Sequence, residues 1–218
     1  MSFQLFMIGI PMSFLNMVLS IGGIIIQFVN NRLGTLYVAT YAAANKIEQF
    51  IVQPMVSLGS ATAVFAAQNY GAGKYKRIRE GGSKSVLITF AWSIISAVLI
   101  FFIGKFIMAA VAGNESAELI DNGYKYLLID ASLSIILGPL VIYKCILQSV
   151  GRAVIPTISG FVEVFCRAGA SLWLSQMFGF LGVCFANPAA WLGALIIIAI
   201  DYFLLMRKFK KQEAQSQA

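Results

Sequence analysis

The residues of this 218-residue chain best placed to do chemistry are carboxylates and amides set inside otherwise apolar stretches. Asn45, Lys46, Glu48, Gln49, Gln53, Ser57 and Ser60 follow one another within a single segment. At about 100° per residue on a helix, they fall in one sector of about half the circumference and leave the opposite face apolar. Such a stripe can line a solvated cavity, or it can pack as a polar seam in which Lys46 pairs with Glu48. Asp130, with Ser134 and Gly138 one and two turns further on, can take a proton, coordinate a cation through water, or pair with Lys46. Glu163 and Arg167 are four apart beside the small residues Ser159, Gly160, Ala170 and Ser171. That placement favours an ion pair that fixes helix packing.

Other chemistries lack their residues. There is no histidine, and Cys145, Cys166 and Cys184 have no metal-ligand spacing, which excludes zinc, haem and CxxC redox sites and leaves buried structural thiols. With the carboxylates dispersed over different segments, no nucleophile–base constellation forms, so the chain does not read as an enzyme. The glycine-rich stretch AAQNYGAGKYKRIREGGSK, residues 66–84, matches neither G-x-x-x-x-G-K-[ST] nor G-x-G-x-x-G, and no strand precedes it. It reads instead as a helix end at Gly71 and Gly73, followed by cations that anchor in anionic headgroups.

These residues must be positioned by membrane helices. The chain is 59% hydrophobic and 11% charged, against about 25% charged in a soluble domain, so there is too little charge to coat a water-soluble globule. The mean hydropathy of +0.82 agrees. No charge occurs before Arg32, between Lys84 and Lys105, or between Arg167 and Asp201, and roughly 20 apolar residues span the hydrocarbon core. The expected fold is an all-α polytopic lobe over residues 1–206, with six transmembrane helices near 6–29, 36–67, 85–111, 119–143, 153–178 and 181–206. A basic tail follows at 207–218. The first helix is expected to be retained rather than cleaved as a signal peptide. Pro54 is expected to kink the second helix and free a carbonyl near residue 50.

Alternate connections sort by charge. One side carries Lys74, Lys76, Arg77, Arg79, Lys84, Lys144, Arg152, Arg207, Lys208, Lys210 and Lys211; the other has Arg32, Lys105 and Lys125 beside Glu115, Glu118 and Asp121. The excess of cations puts both termini in the cytoplasm. The net charge of +7 therefore follows from topology and from contact with membrane lipids, and nucleic acid is not an expected partner.

Several stretches carry a family resemblance. They are Gly9-x-Pro11, Gly34, Pro54-x4-Gly59-Ser60-Ala61, Gln68-Asn69-Tyr70-Gly71-Ala72-Gly73-Lys74 with Arg77, Gln148-Ser149-Val150-Gly151-Arg152-x3-Pro156, Glu163-x3-Arg167, and Leu181-Gly182-Val183-x2-Ala186-x-Pro188-x2-Trp191. Through all six helices the chain resembles the C-terminal six-helix half of a MATE (multidrug and toxic compound extrusion) transporter. The resemblance implies a twelve-helix protein of two lobes around a central cavity, with alternating access and a missing N-terminal six-helix lobe as partner. It implies export of cationic or amphipathic organic compounds, small organic cations among them, in exchange for Na+ or H+, with no other cofactor. Carried over to this chain, it makes Asn16, Tyr41, Asn45, Lys46, Glu48, Gln49 and Gln53 a cavity wall. Asp130, Ser134, Glu163 and Arg167 become candidates for ion coupling or intramembrane pairing.

In some sodium-coupled members a glutamate stands eight residues after the opening proline, and an aspartate about three turns before the counterpart of Gly151. Leu19 and Pro139 hold those positions here and Asp130 is displaced, so the likeness is to DinF-like rather than NorM-like members, which couple through the first lobe. Two alternatives stand beside it: a lipid-linked oligosaccharide flippase of the same superfamily, and a non-transporting membrane assembly partner.

Overall fold

A computed structural model describes residues 20–113 and 116–216, all of them helical or in short connections. Helical segments run over residues 20–33 (α1), Thr35–Gly71 (α2), Tyr75–Ala112 (α3), Ala117–Ser149 (α4), Val154–Phe178 (α5), Phe180–Cys184 (α6) and Ala186–Ser216 (α7). The start of the first expected helix, with Gly9, Pro11, Asn16 and Leu19, and the connection residue Glu115 lie outside the described residues. Among the described residues, four helices are long and apolar enough to cross a membrane: α2, α3, α4 and the α6–α7 unit.

Several helices outrun the bilayer. The 38 residues of α3 extend about 57 Å at 1.5 Å per residue, well past the roughly 30 Å hydrocarbon core. That excess explains why α3 starts at Tyr75 rather than near 85, and why α7 continues through the basic tail to Ser216. The two long helices α2 and α3 are separated by a tight Schellman end. Gly73 takes the left-handed conformation at φ 67, Lys74 N donates to Asn69 O at 2.8 Å and Gly73 N to Tyr70 O at 3.1 Å. Gly73 alone, not Gly71, supplies the left-handed residue among the pair, because a side chain at that φ would meet its own carbonyl.

The sixth expected helix is broken into α6 and α7. Pro188 has no N–H to give the Cys184 carbonyl, and the helical hydrogen-bond ladder is interrupted at Phe185, which keeps helical dihedrals. The chain reverses at Gly179, at φ 56, which lays α6 against the end of α5. Gly182 makes this possible: a Cβ there would coincide with the Leu174 carbonyl.

Central to the bundle is α4, which packs against α2, α3 and α7, while α5 packs mainly on α7 and α6. Small residues set the spacing. A Cβ at Gly138 would fall on Thr89 of α3 and one at Gly59 on Val141 of α4, as expected where helix backbones approach closely in lipid. Two apolar clusters result. One, at the basic end, holds Met55, Ile78, Ile142, Ile198 and Phe209; the other holds Ile26, Ile47, Met108, Leu127 and Val183.

The consequence of Pro54 is local. The helix α2 is continuous through it, and Trp92 of α3 donates its indole N–H to the Ile51 carbonyl at 2.8 Å. A proline loosens the helix hydrogen bonds of the preceding turn, and in lipid a carbonyl in that turn needs a donor from a neighbouring element. The indole bonds the Ile51 carbonyl, next to the Phe50 carbonyl that Pro54 leaves without its donor.

Replacing Trp92 with Phe should cost about 1 kcal/mol of stability. Amide exchange should rise around residues 50–56 and stay unchanged in α5; protection equal to that of the parent chain would show the indole bond to be idle. Gly182→Ala forces a side chain against backbone and should destabilise by about 2 kcal/mol or more, read as a fall in thermal stability in detergent. A neutral result would mean that α6 shifts freely on α5.

Candidate functional site

Between the two apolar clusters lies a layer of polar side chains. Its centre is Glu48, buried at 5% exposure on the face of α2 that meets α4. Tyr126 of α4 donates its hydroxyl to Glu48 Oε2 at 2.6 Å. Asn187, in the first turn of α7, donates through Nδ2 to Glu48 Oε1 at 3.2 Å and to the Tyr126 hydroxyl at 3.0 Å. Asn45, one turn back along α2, donates to Oε2 at 3.3 Å. Three helices therefore meet on one carboxylate, whose oxygens accept from three side chains. Tyr41 closes the side, with its ring edge-on to Tyr126 at 5.6 Å between centroids.

Asp130 lies one turn beyond Tyr126 on α4 and is fully buried. Neither of its carboxylate oxygens has a hydrogen-bond partner of good geometry among the described residues. Ser134, one turn further, turns its hydroxyl back to the Ala131 carbonyl at 2.7 Å instead. In the low dielectric of this layer, an ionised carboxylate left so is costly. The contrast with Glu48 is chemical: one acid is surrounded by donors, the other is open to a proton or a cation.

A cavity of about 290 Å³ opens beside this layer, lined by Tyr41, Asn45, Glu48, Gln49, Asn187 and Trp191 together with Glu163 and Arg167 of α5. Arg167 donates to Glu163 Oε1 at 2.8 Å, and both side chains are largely buried. The Arg167 Nε has no partner among the described residues. The aliphatic stem of Arg167 lies against Gly22 of α1, where a Cβ would approach Cδ at 3.3 Å. The pair thus fixes α5 against α1 and also presents charge to the cavity.

The polar sector expected on α2 is split by its neighbours. Glu48 turns inward and Asn45 is half-buried, while Lys46, Gln49, Gln53, Ser57 and Ser60 are exposed. No ion pair joins Lys46 to Glu48 or to Asp130 among the described residues: an exposed ammonium cannot reach carboxylates held on the buried side. Asn16 lies outside the described residues. Two members of the cluster escaped the sequence reading. Tyr126 carried a signal, since it precedes Asp130 by four and shares its helix face. Asn187 carried only its place beside Pro188, because nothing local says that α7 begins there next to α2.

The chain can be placed among known proteins. The sequence profile described as MatE matches residues 11–173. The probable multidrug resistance protein YoeA of Bacillus subtilis (strain 168) is 24% identical over 208 residues, covering 92% of this chain and 44% of that protein. A multidrug resistance MATE family transporter of the MOP superfamily, solved in an outward-facing conformation, superposes with TM-score 0.85 at 16% identity, covering 93% of this chain and 46% of that one. A MOP superfamily transporter from Pyrococcus furiosus, described as having a binding pocket of reverse polarity, superposes with TM-score 0.71 at 17% identity, over 87% of this chain and 42% of that one. At these identities the superpositions speak for the fold, and the chain spans about half the length of the proteins it matches. With the profile covering most of its length and the fold superposing on one half of such transporters, this chain belongs to the MatE family of membrane transporters.

Proposed function

We propose that this chain is the C-terminal lobe of a multidrug efflux antiporter that exports cationic or amphipathic organic compounds in exchange for H+ or Na+ by alternating access. The observation that carries the reading is the paired environment of Glu48 and Asp130 beside the cavity. Glu48 is held by Tyr126, Asn187 and Asn45, so its negative charge is matched by donors. Asp130 is buried with no hydrogen bond of good geometry to either oxygen, the Asn187 amide being its nearby donor; a proton or a cation would balance it, and it is the residue best suited to exchange one.

The cavity charges favour a cationic cargo over a lipid phosphate. Glu48 lines it together with the Glu163–Arg167 ion pair of α5, whose charges offset one another, so Glu48 is the acid of the lining without a cationic partner. Its volume of about 290 Å³ is at the lower limit for a drug-sized pocket, which fits a wall that the N-terminal lobe completes. The exposed residues Lys46, Gln49, Gln53, Ser57 and Ser60 form the face of α2 turned to that lobe. Both termini and the basic end lie in the cytoplasm by the distribution of Lys and Arg. Leu19 and Pro139 occupy positions where some sodium-coupled members hold acids, so coupling within this lobe falls to Asp130 or passes to the first lobe, as in DinF-like members.

Joined to its N-terminal lobe and reconstituted, the protein should export a cationic dye under an imposed H+ or Na+ gradient. Asp130→Asn should reduce gradient-driven export at least about tenfold, the loss expected when a coupling group is neutralised, while leaving insertion and thermal stability near those of the parent. Glu48→Gln keeps the hydrogen-bonding shape and should reduce export less. Undiminished export by Asp130→Asn would move coupling out of this lobe, and dye export insensitive to both gradients would overturn the antiporter reading itself.

A further inference from the structure

We infer that the basic end of α3 carries a binding notch for an anionic glycerophospholipid, formed by Arg77, Gly81 and Lys84 against Phe65 of α2. A cavity of about 260 Å³ is lined by these four residues and Glu80. Arg77 and Lys84 are seven apart and Gly81 lies between them, so all three share one face of α3. Gly81 lets the Phe65 ring pack directly on the α3 backbone: a Cβ there would land on the ring. The ring makes an apolar floor between two cations.

The charges of the notch are available. Neither Arg77 nor Lys84 forms an ion pair among the described residues, and both are exposed. Glu80, the one acid at the rim, has Lys76 at 3.9 Å. Arg79, which points around the helix, is already taken by Glu213 of α7 at 2.7 Å. The two free cations are separated by about 10 Å along the axis, a gap that their long side chains close over one phosphate placed above Gly81.

The depth of the notch selects the source of that phosphate. Lys84 is the last charge before the uncharged run of α3, and directly below it the same face continues with Leu87 and Ile88, exposed at 67% and 55%. Val64, next to Phe65 on α2, is exposed at 58%. A ligand seated here meets cations at its head and hydrocarbon-facing side chains along its tail, which is the chemistry of an anionic phospholipid rather than of a soluble phosphate. This inference does not depend on the coupling role of Asp130.

Native mass spectrometry of the purified chain, released from nanodiscs of mixed phosphatidylglycerol and phosphatidylcholine, tests it. The parent should retain phosphatidylglycerol over phosphatidylcholine by about tenfold, the order expected for two cations on one anionic headgroup. The double variant Arg77→Gln, Lys84→Gln should lose that preference. A control with the same change of charge, Lys208→Gln with Lys211→Gln, should keep it. Gly81→Leu, which fills the notch without altering charge, should also lose it, with thermal melting confirming that the variant is folded. Equal losses in both charge variants would overturn the proposal in favour of diffuse attraction. Displacement of the lipid by millimolar inorganic phosphate would overturn the assignment of a lipid as its ligand.

Discussion

The bundle is organised around the need to satisfy one carboxylate in a medium that offers no water. Glu48 sits at 5% exposure inside an apolar helix, and an ionised acid in that position is tolerated only when donors surround it. Tyr126 and Asn187 come from α4 and α7, and Asn45 from α2 itself. Because the three helices must converge for the bonds to close, the network also fixes how α2, α4 and α7 lie against one another. Apolar side chains pack above and below the layer, but lipid tails are as apolar as those side chains. The hydrogen bonds therefore choose this arrangement among others with similar apolar contact.

The remaining architecture accommodates that convergence. The break before α7, which follows from Pro188, places Asn187 in a first helical turn beside Glu48 rather than in the middle of a straight helix. Glycines at 59 and 138 bring α2 and α3 onto α4. Pro54 would leave backbone weakly bonded within α2, and Trp92 supplies a donor from α3. Each polar irregularity is met by a group from a different helix, so the local defects of the sequence become contacts between elements. Asp130 and the Arg167 Nε are the exceptions beside this layer among the described residues, with no hydrogen bond of good geometry.

Much of this was legible beforehand. The apolar runs and their charged interruptions announced membrane helices, because no other structure satisfies backbone polar groups in lipid over such lengths. The glycine pair ahead of Lys74 announced a helix end, and the spacing of Glu163 and Arg167 announced a pair, since partners four apart on one helix need no tertiary information. The polar sector of α2 was legible as a set. Its division into a buried acid and an exposed rim was not, because a helical wheel states which residues are neighbours and not which neighbour another helix covers.

The sequence by itself therefore determined the class of the protein, its all-α architecture of apolar membrane helices, the uneven placement of its cations, and the short-range pairs within single helices. All of these depend on composition and on separations of a few residues. Only the tertiary structure decided that Glu48 bonds to Tyr126 and Asn187, 78 and 139 residues away, that Lys46 stays apart from both acids, and that neither oxygen of Asp130 forms a hydrogen bond of good geometry. Those outcomes rest on which helix faces meet, and helix association in lipid is governed by close packing and complementary hydrogen bonds between surfaces, a property of pairs of helices that no one segment encodes.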